Sequence, residues 1–510
     1  MHAKIQSATT VGIKAHFVDV EVDLSFGMIN FYIVGLPDKA INESRDRIRA
    51  AFKNSGMALP EKCITVNLAP ATLKKEQVLF DVPIAVSIMQ AAGLIDMEAA
   101  FITETLFLGE LSLDGIMKPV RGVLSITHAA MQAGKKRVII PVGNVHEASL
   151  VKGIDVIGVE TLTQLVTYLR GELAINPTPS TFDDVVEKVQ HLVDFNQVKG
   201  QTVAKRAMQI AAAGRHNIIL IGSPGSGKTM LARRLMTIMP PMAFDEIMES
   251  TKIYSVAGLL DSKALVVARP FRSPHHTISQ AGLVGGGSNP RPGEISLASN
   301  GILFLDEMPE FTRSTLEVMR EPLESGSVHI ARASCSVEYP ADFLLVAAMN
   351  PCPCGYFGDR KKQCTCTQQQ VHKYLSRLSG PLLDRIDLHV HVASINYDEI
   401  KDASIIGKSS ATLYDEVLQA VRQQQARFGG MRNAAMSSTQ VEQHCQLAPD
   451  AEQVMKLAFD KLGLSMRGYH KVLKIARTIA DLDAAEVIGR KHVQEAIMYR
   501  SLDQVTGEFA

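Results

Sequence analysis

The chain has 510 residues, enough for two to four domains and a large buried core. Basic and acidic residues number 53 each, so no overall field attracts a polyanion and any nucleic-acid site must be a local patch. No apolar run is long enough to cross a bilayer and Met1–Ser7 lacks the apolar stretch of a signal peptide, while four of the seven cysteines crowd into one segment, which points to metal binding in a reducing, cytoplasmic setting rather than to a disulfide framework.

The first third mixes short strands with helices. Val18 to Val22 alternates as a half-buried strand does, and Asn30 to Val34 and Cys63 to Asn67 are further strand candidates. Asn42 to Asn54 sets Arg45, Arg47, Arg49 and Lys53 around Ile48 and Phe52, the pattern of an amphipathic helix, and Pro83 to Ala92 reads as a buried helix. The stretches Phe80 to Ser87, and Gly109 to Gly115 running on to Val138–Pro141, resemble the proteolytic domain of Lon, where a Ser nucleophile is activated by a Lys. Here the nucleophile position holds Ile84 and the lysine position Leu124, and neither side chain can act as nucleophile or base. The resemblance implies a Lon-like (ribosomal protein S5-type) domain over 1–172 without the dyad, serving assembly or substrate guidance. The proline-rich Asn176 to Ser180 suits a linker, placed at 173–190.

An α/β P-loop module is expected over 191–394. The apolar run Asn217 to Ile221 leads into Gly222, Ser223, Pro224, Gly225, Ser226, Gly227, Lys228 and Thr229, and then into a helix opening at Met230. Backbone N–H groups of such a turn cradle phosphates at the positive end of the helix, Lys228 reaches the β/γ-phosphates, and the Thr229 hydroxyl can ligate Mg²⁺. Ile302 to Leu305 is a buried strand delivering Asp306 to the Mg²⁺ shell and Glu307 to polarise the attacking water. Phe343 to Met349 is another strand, tipped by Asn350, which fits a water-positioning role. Arg385 follows a short helix and is the candidate arginine finger supplied to a neighbouring copy. Arg377 is the runner-up, with Asp384 and Asp387 at hand to pair with either. Arg467 opens a helix running to Asp481 and is placed as a second sensor near the nucleotide. This order of elements resembles the AAA+ ring ATPases, in which a stretch like Asp194 to Gln201 lies over the adenine.

More than seventy residues separate Thr229 from Asp306, so something is inserted. Arg272 to Ser279 with Leu283 to Glu294 reads as that insertion, a flexible loop, and Gly326 to Glu338 as two strands and a turn. In the clade of magnesium chelatase and the MCM helicases, a helix-2 insert and a hairpin before sensor 1 occupy these places and face a central pore. Cations there, Lys263, Arg269, Arg291, His329 and Arg332, are candidates for gripping DNA phosphates. Cys352, Cys354, Cys364 and Cys366 form two C-x-C pairs suited to a structural Zn²⁺, and the turn between them presents Arg360, Lys361 and Lys362 to DNA. A helical lid is expected over 395–510, its Gln419 to Gln425 stretch a solvated face.

Together, the Lon-like domain without its dyad, Pro274–His276, the Pro292 to Leu297 segment ahead of Asp306, and the cysteine cluster make nearly the whole chain resemble the magnesium-chelatase-like ComM/YifB family. That resemblance implies a homo-hexamer that hydrolyses ATP with Mg²⁺, binds single-stranded and branched DNA, and drives branch migration of recombination intermediates during natural transformation, alongside recombination proteins. The alternatives are a chelatase-type motor for metal insertion, or an MCM-like helicase with another DNA role. Ile84 and Leu124 argue against a protease, and intact Lys228, Asp306 and Glu307 against a non-enzymatic scaffold.

Overall fold

The computed structural model describes residues 1–35, 39–73, 79–180, 193–260, 265–287, 290–331, 336–359, 361–394 and 407–500. The chain divides into two compact units, Met1–Lys188 with Thr251–Leu265, and Val189–Ser250 with Val266–Ala510. Residues 251–265, which the sequence reading keeps within the ATPase core, thus group with the first unit.

In the first unit, β1 (His2–Val11) and β2 (Lys14–Ser25) form a long antiparallel pair, and β3 (Phe31–Val34) and β4 (Cys63–Ala69) complete a sheet ordered β1-β2-β4-β3. Alternation buries Val18, Val20, Val22 and Leu24 on one face of β2. β1 escapes pattern reading because Ser7 and Thr9 share its buried face with Ala3 and Ile5. A small parallel sheet follows from β5 (Thr105–Phe107), β8 (Arg137–Pro141) and β9 (Asp155–Val159), with β6 (Glu110–Leu111) and β7 (Met117–Lys118) as a hairpin. The helix Asp81–Ala92 is buried along almost its whole length and packs on β1 and β2, and both Ile84 and Leu124 are core residues. In the linker stretch Thr178 bridges to Val156, its N–H donating to the Val156 carbonyl at 2.9 Å, so this part lies on the first unit's sheet.

The second unit is built on a parallel sheet ordered β11 (Phe271–Arg272), β14 (Ile302–Leu305), β17 (Leu344–Met349), β10 (Ile218–Ile221) and β18 (Leu388–His391). Every residue of β10, β14 and β17 is buried, which is why they read as unbroken apolar runs rather than alternating ones. Helix Thr202–Gly214 packs on β18 and against the helices Lys228–Leu235, Ser410–Phe428 and Met466–Leu482. The expected flexible insertion is ordered where described: a helix Gln280–Val284, a hairpin of β12 (Gly285–Gly286) with β13 (Arg291–Pro292), and a helical turn Glu294–Leu297. The hairpin expected before β17 is present as β15 (Ser327–Ala331) and β16 (Ser336–Pro340). Gln424 corrects the solvated-face reading: it is fully buried, its Nε2 donating to the Ala213 carbonyl and its Oε1 accepting from the Asn433 N–H.

Candidate functional site

In a parallel sheet the loops at the carboxyl ends of the strands converge, and here they bring the P-loop, Asp306, Glu307 and Asn350 to one edge. The P-loop leaves β10 at Gly222, where a side chain would strike the Val392 carbonyl oxygen. Gly227 caps the helix Lys228–Leu235 at φ 92°, a left-handed conformation that leaves the first N–H groups of the helix pointing into the turn. Lys228 is nearly buried and folds back on the turn, its Nζ donating to the Gly222 carbonyl at 2.7 Å, the Ser223 carbonyl at 3.0 Å and Asn350 Oδ1 at 3.2 Å. Burial lowers its pKa against the opposing pull of Asp306 and Glu307. Thr229 Oγ1 donates to Asp306 Oδ2 at 2.9 Å, so the two oxygens expected to share Mg²⁺ already face each other. The buried Ser226 hydroxyl has no partner among the described residues, an orphaned donor inside the cradle that a phosphate oxygen would satisfy. These residues fit a nucleoside triphosphate with Mg²⁺. Met230, on the first turn of the helix, is half exposed beside them.

Two further side chains, Gln201 of the stretch placed over the adenine and Arg234, which the sequence reading assigns no role, border this edge. Gln201 donates to the Ala393 carbonyl at 2.6 Å and reaches the Ser226 carbonyl at 3.4 Å, so the Asp194–Gln201 stretch touches the P-loop. Arg234, on the P-loop helix, donates to the Asp194 carbonyl and to Gln197, holding that stretch in place. Glu307 stands at φ 50°, ψ 45°, a left-handed conformation that costs a non-glycine residue about 1 kcal/mol and marks a constrained site. His276, from the Pro274–His276 motif, has its Nδ1 3.7 Å from Glu307 Oε2, and its ring lies tilted against that of His275 with centroids 4.1 Å apart. The motif itself was the only signal for that pairing.

Arg385 and Arg467 lie elsewhere. Arg385 precedes β18, and its carbonyl accepts from Asn217, which precedes β10, so it stands at the amino end of the sheet, across β10 from the P-loop. One strand of this length separates the two edges by roughly 13 Å. Arg467 is therefore not beside this chain's own phosphate cradle. It meets Arg385 instead, both guanidiniums pairing with Glu324 Oε1, Arg467 at 3.0 Å. The Arg385 hydrogen bond leads in holding the Glu324 carboxyl below its usual range, and Arg467 adds to it. The group faces a cavity of about 670 Å³ that Arg215, Arg432, Lys471 and Lys474 also line, and Arg385 Nε and Arg432 Nη1 have no partner among the described residues. Among the described residues, no pairing of Arg385 or Arg377 with Asp384 or Asp387 is found. Arg377 instead pairs with Glu310 at 2.9 Å, and Asp387 with Lys471 at 2.9 Å and His216 at 3.2 Å.

The four cysteines converge. Their ligand atoms all lie within 4.8 Å of one another, with Sγ separations of 3.3 Å for Cys352–Cys354, 3.7 Å for Cys352–Cys364 and 3.6 Å for Cys354–Cys364. A tetrahedron of 2.3 Å Zn–S bonds has edges of about 3.8 Å, so the set fits a closed four-thiolate site. Backbone N–H groups of Phe357, Cys354 and Cys366 point at sulfurs. Those of Thr365 and Tyr356 lower the Cys354 thiol. Those of Cys366 and Cys354 pull the thiols of Cys364 and Cys366 the same way, but burial and the neighbouring sulfurs outweigh them and raise both, as crowded thiols with no cation between them must do.

Of the candidate DNA contacts, Arg291 on β13, His329 on β15, and Lys361 and Lys362 on the cysteine loop are exposed, with Lys362 Nζ 4.9 Å above the Tyr356 ring. Arg269 is a correction: it is buried, donating to the Pro240, Pro241 and Asn300 carbonyls and pairing with Glu246 at 3.1 Å, so it anchors the fold and offers nothing to a polyanion. Lys263, Arg332 and Arg360 lie outside the described residues.

Family models for the magnesium chelatase subunit ChlI match residues 20–144 and 194–400, and one for the ChlI C-terminal region matches 407–500. The chain is 41% identical over 505 residues to the competence protein ComM of Haemophilus influenzae, covering 98% of this chain and 97% of that one. It is 40% identical over 501 residues to YifB of Escherichia coli, with coverage of 98% and 97%. The magnesium-chelatase 38 kDa subunit of Rhodobacter capsulatus is more distant, 23% identical over 60% of this chain and 86% of its own length.

Proposed function

The chain belongs to the ComM/YifB family of magnesium-chelatase-like proteins, and from that premise we propose that it is a hexameric ATPase that drives branch migration of DNA recombination intermediates during natural transformation. The observation that carries the reading is the division of the nucleotide machinery. Lys228, Thr229, Asp306, Glu307 and Asn350 stand at one edge of the sheet and Arg385 and Arg467 at the other. One chain cannot apply both sets to one nucleotide, whereas head-to-tail copies can, and a head-to-tail contact that closes makes a ring.

In such a ring the P-loop amides and Lys228 hold the β/γ-phosphates, and Thr229 and Asp306 would hold a Mg²⁺ that would offset phosphate charge. Glu307 accepts the proton of the attacking water and Asn350 orients it. Arg385 and Arg467 of the adjacent copy stabilise the charge that develops on the γ-phosphoryl group, after leaving Glu324. Repeated around a pore, Arg291, His329, Lys361 and Lys362 grip a phosphate backbone although each chain is neutral overall. Cys352, Cys354, Cys364 and Cys366 would hold a zinc ion, which would supply a closed cross-link of the loop. The setting is cytoplasmic, and among the described residues no helix is long and apolar enough to cross a membrane.

The test is ATPase activity with and without branched DNA, together with strand displacement on a labelled three-way junction. DNA-stimulated hydrolysis with displacement is expected. Hydrolysis that ignores DNA, with no displacement, would falsify the reading, and Mg²⁺ insertion into a porphyrin by the same preparation would favour the chelatase alternative.

A further inference from the structure

We propose that Glu324 is a latch whose carboxylate holds Arg385 and Arg467 back from the adjacent copy's nucleotide until the hairpin β15–β16 moves. The inference rests on the ATPase reading and adds to it a control of hydrolysis by what the hairpin touches. Three segments distant along the chain meet at this carboxylate. Glu324 stands in the helical turn Pro322–Ser325, Arg385 follows the turn Gly380–Leu383, and Arg467 lies at the start of the helix Met466–Leu482. Both guanidiniums pair with the same oxygen, Oε1, Arg467 at 3.0 Å. The partners differ in freedom. Arg385 is nine-tenths buried and its Nη1 donates to the Pro381 carbonyl, whereas the Glu324 side chain is half exposed. An exposed carboxylate turns out into water at little cost, so Glu324 is the side that lets go. The other carboxylates lining this cavity are engaged, Asp342 with Arg215 at 2.8 Å and Asp387 with Lys471 at 2.9 Å. A triphosphate offers more charge and more acceptor oxygens than one carboxylate, and takes both arginines once Glu324 yields.

Glu324 is joined to the hairpin through the backbone. Its turn ends at Gly326, left-handed at φ 68°, and β15 begins at the next residue. Ser325 Oγ donates to the Ser327 carbonyl at 2.9 Å, and the Ala341 N–H donates to the Gly326 carbonyl at 2.8 Å. The hairpin is therefore closed at its root, two residues from the latch. Tyr339, buried on β16, donates its hydroxyl to the Pro290 carbonyl at 2.8 Å and so ties the hairpin to the β12–β13 turn of the insertion. Glu324 and Arg385 also line a second cavity of about 580 Å³, together with Gln280 and Val284 of the insertion and Val328 and His329 of β15. That space gives the hairpin room to shift. A phosphate backbone that pulls on His329 displaces β15, and with it Glu324, whereas Arg385 stays anchored ahead of β18.

The experiment measures steady-state ATPase with and without single-stranded DNA, together with Tm, in the full chain carrying Glu324→Gln or Glu324→Asp. Glu324→Gln keeps the shape of the side chain and removes its charge. Its DNA-free kcat should rise roughly fivefold, the scale of one half-exposed ion pair, and the stimulation by DNA should shrink by the same factor because the latch is already open. KM for ATP should stay unchanged, since the P-loop edge that binds the nucleotide is untouched. Glu324→Asp withdraws the carboxylate by one methylene and should raise the DNA-free rate by less. A Glu324→Gln chain of wild-type Tm whose DNA-free rate is unchanged or lower overturns the latch, and so does a changed KM with the stimulation ratio preserved, the mark of a residue that only shapes the interface. If Glu324→Gln does not fold, an unchanged DNA-free rate in Glu324→Asp overturns the latch in its place. A wild-type chain that hydrolyses no ATP overturns the ATPase reading itself, a result distinct from these.

Discussion

At the scale of single residues, Lys228 and Glu307 carry the clearest consequences. Lys228 spends its donors on two carbonyls and Asn350, all within the cradle, so a phosphate arriving there finds a charged donor already in place. Lys228→Ala should weaken ATP binding by about 3 kcal/mol or more, the worth of one or two charge-assisted hydrogen bonds. Glu307→Gln keeps the shape of the side chain and removes the base. It should bind ATP normally while phosphate release slows by roughly 10²- to 10⁴-fold. Titration with a fluorescent ATP analogue and a phosphate-release assay read the two effects separately, and normal hydrolysis by Glu307→Gln would remove that carboxylate from the mechanism. The strained backbone of Glu307 and its His276 neighbour agree with a side chain held for a purpose.

At the scale of elements, the parallel sheet is tied to the helix Met466–Leu482 by a buried charge cluster. Asp387 leads into β18 and faces Lys471 and His216. Burial pushes its carboxyl upward, but the charge of Lys471 and the hydrogen bond to His216 outweigh burial and hold it well below the ordinary carboxylate range. A depressed carboxylate contributes stability that is fully present above its unfolded value, about 3.9, and is lost as pH falls toward the folded one. Asp387→Asn should therefore cost about 3 kcal/mol at pH 7, and the gap from wild type should narrow between pH 5 and pH 2. Denaturant midpoints across that range check the sign, and a gap that stays constant would mean the carboxylate's charge is not what stabilises the junction. Asp387 does not serve Arg385, its neighbour in sequence, because it faces Lys471, on a helix distant along the chain.

At the scale of the molecule, the distance of Arg385 and Arg467 from the P-loop makes mixing experiments a direct test of the proposed ring. Lys228→Ala copies lack a working cradle but keep Arg385, and Arg385→Ala copies have the reverse defect. In an equal mixture, random head-to-tail assembly places an intact Lys228 beside an intact Arg385 at about a quarter of the contacts. Each variant alone should be nearly inactive and the mixture should regain about a quarter of wild-type ATPase, measured after exchange of subunits. A mixture no better than its components would place both sets of residues on one nucleotide within a single chain, against the geometry of β10 and β18.

The sequence by itself determined the chemistry that depends on local order. A glycine turn between an apolar strand and a helix, an apolar run ending in Asp306 and Glu307, and paired cysteines each carry their meaning within a few residues, because the backbone geometry that uses them is local. It also indicated the buried strands β10, β14 and β17, since a sheet covered on both faces needs continuous apolar runs. Only the tertiary structure decided what depends on direction and burial. It put Arg467 with Arg385 and Glu324 across the sheet from Lys228, turned Arg269 and Gln424 inward, and laid the cysteine loop against Pro224. An exposed cation and a buried one look alike in sequence, and which edge of a sheet a residue occupies follows from how distant strands are ordered and which way they run.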